Sequence, residues 1–293
     1  MYLSKRAIKL LCCLLSLVDN VNIMDFEKYQ RQISLPKIGV KGQQQLLDAK
    51  VLVIGAGGLG CPALQYLVAA GVGNIGIVDG DVVSKSNLPR QILFYESDLG
   101  KLKVDCAKEK LMHLNLSASI SIFPFYIDNK NAIDIIQNWD VVVDCSDDFA
   151  TRYMLNDACV ILEKPLVYGA IYGDQGQIAV FNLKQENNFS TSYRDIFPNP
   201  PSKGEIPTCE ELGVMGVLPG TIGVLQANEV IKIITNLENC LANKLFLLNL
   251  STYDANTFEV VKNVSNNVPS TIVEFELFDY KAFCGKATKE FVV

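Results

Sequence analysis

Three groups of residues have the types and spacing of a chemical site. The first is Gly55-Ala56-Gly57-Gly58-Leu59-Gly60, a G-x-G-x-x-G run. Glycines let the backbone turn tightly and approach a phosphate, and the N–H groups that open a helix attract anions. Asp79 follows about twenty residues later, the spacing at which a carboxylate accepts hydrogen bonds from ribose hydroxyls. The pattern points to an adenine nucleotide without saying which, and NAD is the default. Glycines that only let a strand and a helix pack closely are the plain alternative. No G-x-x-x-x-G-K-[ST] run occurs, so the P-loop solution is absent. The second group is Ser86-Asn87-Leu88-Pro89-Arg90-Gln91 together with Lys103. Taken singly, Arg90 reads as a surface ion pair and Lys103 as a solvated helix face. A hydride-transfer enzyme, however, needs no cluster of cations beside the phosphates. The third is Cys209, in a polar stretch with prolines at 198, 200, 201 and 207. It is a better nucleophile candidate than Cys145 or Cys159, whose apolar neighbours raise a thiol pKa. A small loop residue without chemistry is the alternative for Cys209.

The elements that must position these residues alternate between strand and helix. Apolar, β-branched runs at 50–54, 74–78, 119–123, 140–144 and 166–168 read as buried strands. Segments 43–48, 58–70, 101–115 and 151–163 read as helices. The alternation predicts an α/β fold, a Rossmann-like, doubly wound and mostly parallel sheet. After residue 175 the pattern changes. A strand at 177–181 has no helix after it, and 183–213 reads as a long loop, uncommon unless functional. A helix at 219–235 precedes late strands at 244–250 and 257–261, expected to be antiparallel. Residues 263–293 stay ambiguous, with a β-branched stretch at 271–275.

Composition bounds the function. The 293 residues are 49% hydrophobic and 20% charged, a globular balance. A net charge of -6 argues against a nucleic-acid protein, while leaving room for one basic pocket. Nine scattered cysteines without C-x-x-C suit a reducing cytosol and inert buried thiols. The opening stretch 1–23 has a basic and a short apolar part, too short to span a bilayer. Met24-Asp25-Phe26-Glu27 reads like a natural start, so 1–23 is expected to be an upstream extension, with no membrane association and a cytoplasmic location. Residues 24–262 form the expected working domain and 263–293 a tail. His113 and Trp139, the sole members of their kinds, read as structural.

Together the motifs resemble the ThiF/MoeB/HesA family, relatives of the ubiquitin-activating (E1) enzymes. They are Tyr29-Gln30-Arg31-Gln32, the glycine turn, Val78-Asp79-Gly80-Asp81, Ser86-Asn87-Leu88-x-Arg90-Gln91 and Lys101-x-Lys103. Asp144-Cys145-Ser146-Asp147 with Thr151-Arg152, and Thr208-Cys209-x-x-x-Gly213-Val214, complete the set. The resemblance covers about residues 29–261. It implies a cytoplasmic homodimer that uses ATP and Mg²⁺ to adenylate the C-terminal Gly-Gly carboxylate of a MoaD- or ThiS-like, ubiquitin-like sulfur carrier. It further implies that Asp79 holds the ribose, that Gly58 lies under the nucleotide and that Asn87, Arg90 and Lys103 hold the phosphates. By the same resemblance Asp147 binds Mg²⁺ or positions the attack, Arg31 reaches into the neighbour's site, and Cys209 can bond covalently to the carrier.

Three departures matter. Many relatives hold a structural zinc on two C-x-x-C pairs. The first is expected at Ser192-Tyr193-Arg194-Asp195 and the second near 252–256, and neither has the thiolates zinc wants, so no zinc is expected. Asp148 stands where the family usually has Asn, placing two carboxylates side by side. No sulfurtransferase domain follows in the sequence, so a separate sulfur donor is expected. An NAD-dependent oxidoreductase and a non-catalytic E1-like binding protein are the competing readings.

Overall fold

The β-branched runs of the first half form the middle of one sheet. In the computed structural model, residues 25–186, 188–201, 213–263 and 268–285 are described. Two helices come first, α1 (Phe26–Ile33) and α2 (Gly39–Asp48). Then β1 (Lys50–Ile54), α3 (Gly60–Ala70), β2 (Asn74–Val78), α4 (Lys103–Leu114) and β3 (Ser119–Phe123) build one half. The other half is α5 (Ala132–Ile136), β4 (Val141–Asp144), α6 (Phe149–Ile161) and β5 (Leu166–Tyr172). Next come β6 (Gln175–Phe181), α7 (Tyr193–Ile196), α8 (Val217–Ile234), β7 (Lys244–Asn249) and β8 (Ala255–Glu259). Two short helices close the described chain, α9 (Ile272–Leu277) and α10 (Tyr280–Phe283).

The strand order is β3-β2-β1-β4-β5-β6-β7-β8. Strands β1 to β5 are parallel neighbours, and β5 through β8 continue as an antiparallel meander. The chain leaves β1 toward β2 and β3, then returns to β4 on the other side. That reversal opens a crevice beyond the carboxyl ends of β1 and β4. Side chains of β1 alternate between two dry layers. Val51 and Val53 pack with Leu46, Leu64 and Val230 on one face; Leu52 and Ile54 pack with Val142, Leu155 and Phe275 on the other. Truncating Leu52, fully buried, to Ala would cost about 2–5 kcal/mol.

Strands β1, β2 and β3 begin and end where the residue pattern places them. The late strands are antiparallel as expected, though β8 starts two residues earlier. Elsewhere the structure corrects the reading. Helices α1 and α5 were not anticipated, and the long loop contains α7. The stretch at 271–275 is helical despite its β-branched residues. Thr271 caps α9 by accepting a hydrogen bond from the Glu274 N–H (3.2 Å), and Phe275 is buried, so cap and packing override propensity. Among the described residues α8 is one helix long and apolar enough to cross a membrane, although the sequence reading expects no membrane association. Its Leu218, Ile222 and Val230 are buried in the core against the sheet, as in a core helix. Trp139 is buried, and its ring closes over Gly76; His113 is exposed.

At Ser192–Asp195, one expected zinc position, other chemistry holds the chain. Asp195 accepts hydrogen bonds from the N–H groups of Ser192 and Asn263, both 2.6 Å. Arg194 donates twice to Asp157, Nε to Oδ1 and Nη2 to Oδ2, each 2.7 Å, and the Tyr280 hydroxyl donates to the same carboxylate at 3.0 Å. The guanidinium stands 4.8 Å from the ring centroids of both Tyr153 and Phe283. This pair is dry and bidentate, the geometry a buried ion pair needs.

Candidate nucleotide-binding site

The crevice begins with the glycine turn. Gly55 has φ +96, and a Cβ on Gly60 would lie 2.0 Å from the Gly55 carbonyl oxygen. Strand and helix therefore touch backbone to backbone, which only glycine allows. Asp79, at the end of β2, locks this turn: its Oδ2 accepts from the Ala56 N–H (2.7 Å) and its Oδ1 from the Asp81 N–H (2.8 Å).

Gly55, Gly57, Asp79, Asp81, Asn87, Arg90, Gln91, Lys103, Asp147 and Asp148 all line one cleft, which holds about 730 Å³ with its open mouth. Gly58 and Gly60 are buried behind it, in the packing of α3 against β1. Ser86 is exposed and off the cleft; its carbonyl accepts from Arg90 Nη1 (2.8 Å), so it orients the guanidinium. Arg31 is exposed on α1, also off the cleft. Cys209 lies outside the described residues.

The cations are poised, not idle. Among the described residues Arg90 Nε and Gln91 Oε1 are buried without a hydrogen-bond partner, and both residues line the cleft. Lys103, read singly as a solvated helix face, is instead buried, and its Nζ donates to Asp81 Oδ2 at 2.8 Å. Asn87 Oδ1 accepts from the Ser84 N–H (3.0 Å), which leaves its amide protons for the cleft.

The carboxylates of the β4 turn differ from one another. Asp148 caps α6, accepting from the Thr151 N–H (2.9 Å). Asp147 bonds to no other described side chain. Burial first, and the neighbouring Asp148 charge second, push its pKa up to about 6, against the pull of Arg152. Asp144 beneath is buried and also raised by burial, with Arg152 opposing. Such a carboxylate gains from a cation. No group of three or more His, Cys, Asp or Glu side chains converges among the described residues. Asp147 therefore suits Mg²⁺, which is held by one or two carboxylates plus substrate phosphates and waters.

The sequence reading missed two features. Phe125, Tyr126 and Ile127, just after β3, form a cleft wall; only their place beyond the end of a switch-point strand could have flagged them. Arg152, 3% exposed, donates from Nη2 to the Ser146 carbonyl (3.1 Å), and its buried Nε has no hydrogen-bond partner among the described residues. It also walls a second groove, with Phe149, Tyr168, Tyr172, Gln177 and Phe197, that starts at the same end of α6. Cys145 is buried, and burial pushes its thiol well above the ordinary value.

The fold and cleft define a Rossmann-type nucleotide-binding domain with cations gathered opposite a carboxylate. The sequence profile of the ThiF family matches residues 29–270, and the chain belongs to that family. It is similar to the sulfur carrier protein adenylyltransferase of Thermus thermophilus, 43% identical over 266 residues, which covers 89% of this chain and 97% of that protein. The probable adenylyltransferase/sulfurtransferase MoeZ of Mycobacterium tuberculosis is 40% identical over 258 residues; the match takes in 88% of this chain but 64% of MoeZ. Among solved structures, E. coli MccB with AMPCPP and MccA has the same fold, with TM-score 0.72 and 22% identity over 85% of this chain and 76% of that one.

Proposed function

We propose that this protein is an ATP-dependent adenylyltransferase that activates the C-terminal carboxylate of a ubiquitin-like, MoaD- or ThiS-like sulfur carrier as an acyl-adenylate. The observation that carries this reading is the gathering of Arg90, Lys103 and Asn87 in one cleft with the glycine turn and Asp147. The likeness to named adenylyltransferases at 40–43% identity supports it.

The chemistry asks for little else. A carboxylate, a weak nucleophile, attacks the α-phosphorus; one P–O bond forms, another breaks, and pyrophosphate leaves with the growing charge. Two anions must meet, so fixed cations serve better than a general base. The turn N–H groups and Asp79 hold the nucleotide. Arg90 and Lys103 neutralise the phosphates. Asp147 would hold Mg²⁺, which supplies further charge stabilisation at the phosphates. The second groove, which begins at the start of α6 next to the cleft residues Asp148 and Thr151, receives the carrier's tail. In a homodimer Arg31 of one protomer completes the other's site. Cys209 is the candidate for covalent capture of the carrier, with a separate sulfur donor in thiamine or molybdopterin biosynthesis, in the cytoplasm.

ATP–pyrophosphate exchange with a panel of purified carriers ending in Gly-Gly tests the reading. Exchange that depends on one carrier is expected. A chain whose melting temperature rises with NAD and not with ATP would overturn it in favour of an oxidoreductase.

A further inference from the structure

We infer that Tyr126 is a positioning residue of the nucleotide cleft: it occupies one oxygen of Asp81 so that Lys103 can turn its remaining protons to the phosphates of ATP. The inference rests on the reading that this cleft takes ATP.

Lys103 is buried in the cleft wall, with a side chain only 6% exposed, and a buried ammonium needs a counter-charge. Asp81 supplies it. Among the described residues Asp81 is the one group bonded to Lys103 Nζ, through Oδ2. A carboxylate that gave Lys103 its whole charge would compete with the triphosphate for the cation. The Tyr126 hydroxyl prevents this by donating to Asp81 Oδ1. Two donors then share one charge, and the carboxylate becomes a weaker acceptor for each. Burial works to raise the Asp81 pKa, but the hydrogen bonds from Lys103 and Tyr126 together hold it below the ordinary carboxylate range. The same bond pushes the Tyr126 phenol up to about 12, so it stays a donor at neutral pH.

The placement of Tyr126 is built in. Its ring lies over Gly80, where a Cβ would come within 3.0 Å of Cδ2 and Cε2, so any side chain there would lift the ring away. Asn131 Nδ2 donates to the Tyr126 carbonyl (3.2 Å), and Asn131 Oδ1 accepts from the Asp128 N–H (2.9 Å). Asn129 Nδ2 ties the same loop to the carbonyls of Glu276 (2.7 Å) and Phe278 (3.2 Å). Those two residues lie beyond the 29–270 stretch that matches the family. Stability does not explain this effort: the Tyr126 ring is 69% exposed, and bonds in contact with water contribute little to folding.

The test is calorimetric titration of the full chain with Mg·AMPCPP, for wild type, Tyr126→Phe, Asp81→Asn and the double variant. Tyr126→Phe is expected to weaken binding about three- to tenfold, the scale of one ordinary hydrogen bond, since this one is in contact with water. Its melting temperature should stay within about 2 °C of wild type. In the Asp81→Asn background, where no carboxylate competes for Lys103, the same change should have less than about a twofold effect. Unchanged affinity in Tyr126→Phe, a loss that persists in full in the Asp81→Asn background, or a large drop in melting temperature each overturns the inference. A wild-type chain that binds no analogue overturns the ATP reading itself.

Discussion

Asp147 keeps its charge at the expense of the empty protein's stability, and Asp147→Asn should reveal how much. Burial and Asp148 lift this carboxyl from 3.8 to about 6 in the folded chain. A shift of roughly two units at about 1.36 kcal/mol each means that at pH 8 the folded state carries a penalty of up to about 3 kcal/mol. Asn keeps the shape and removes the charge, so the variant should be more stable by up to that amount. At roughly 2–4 °C per kcal/mol, the gain in melting temperature is about 6–12 °C. The penalty fades with acid. As pH falls through 6, the folded wild type takes up a proton that the unfolded chain does not, and the penalty shrinks. It should fall to about 2 kcal/mol at pH 5.5 and about 1 kcal/mol at pH 4.5, and vanish below the unfolded pKa. Urea titrations of both proteins across this range measure it, and Mg·AMPCPP should stabilise only the wild type. A variant no more stable than wild type at pH 8, or a gap that ignores pH, refutes the reasoning.

Other residues make three shorter predictions. Arg90→Ala should lower carrier-dependent ATP–pyrophosphate exchange by about 10²–10³-fold with little change in melting temperature, since its buried Nε serves no described protein partner; normal exchange would remove Arg90 from the site. Asp157→Ala should destabilise by about 3–5 kcal/mol, because Arg194 is then buried and unpaired; guanidinium titration measures this, and a loss below about 1 kcal/mol would mean that Arg194 finds another partner. Cys145, although it lines the cleft, should resist iodoacetamide in the native protein, as burial keeps it a thiol; peptide mass spectrometry showing prompt labelling would contradict its burial.

The sheet was legible because its centre is dry on both faces. A strand such as 50–54 is then a continuous apolar run after its exposed Lys50, bounded by the glycines of the turn. The glycine turn was legible for a related reason, since backbone contact at Gly55 and Gly60 admits a single residue type. Context was not legible. Nothing near Lys103 in sequence discloses that Asp81, 22 residues earlier, holds it in a buried pair. Gly60 and Ser86 belong to the motifs yet serve packing and the orientation of Arg90, and a motif does not separate those tasks from ligand contact. Tyr126 belongs to no motif, and its partner lies 45 residues away. In the tail, the Thr271 cap was readable as Thr-x-x-Glu, but a five-residue β-branched stretch obscured it.

The Arg194–Asp157 pair has a consequence for biogenesis. Its two members sit 37 residues apart, but the hydroxyl of Tyr280 and the ring of Phe283 that help seal it arrive roughly ninety residues after Arg194. During synthesis this charge pair stays exposed to water until α10 has emerged. A product ending short of Tyr280 is left with a hydrated ionic pair between Asp157 and Arg194, open to chaperones and proteases.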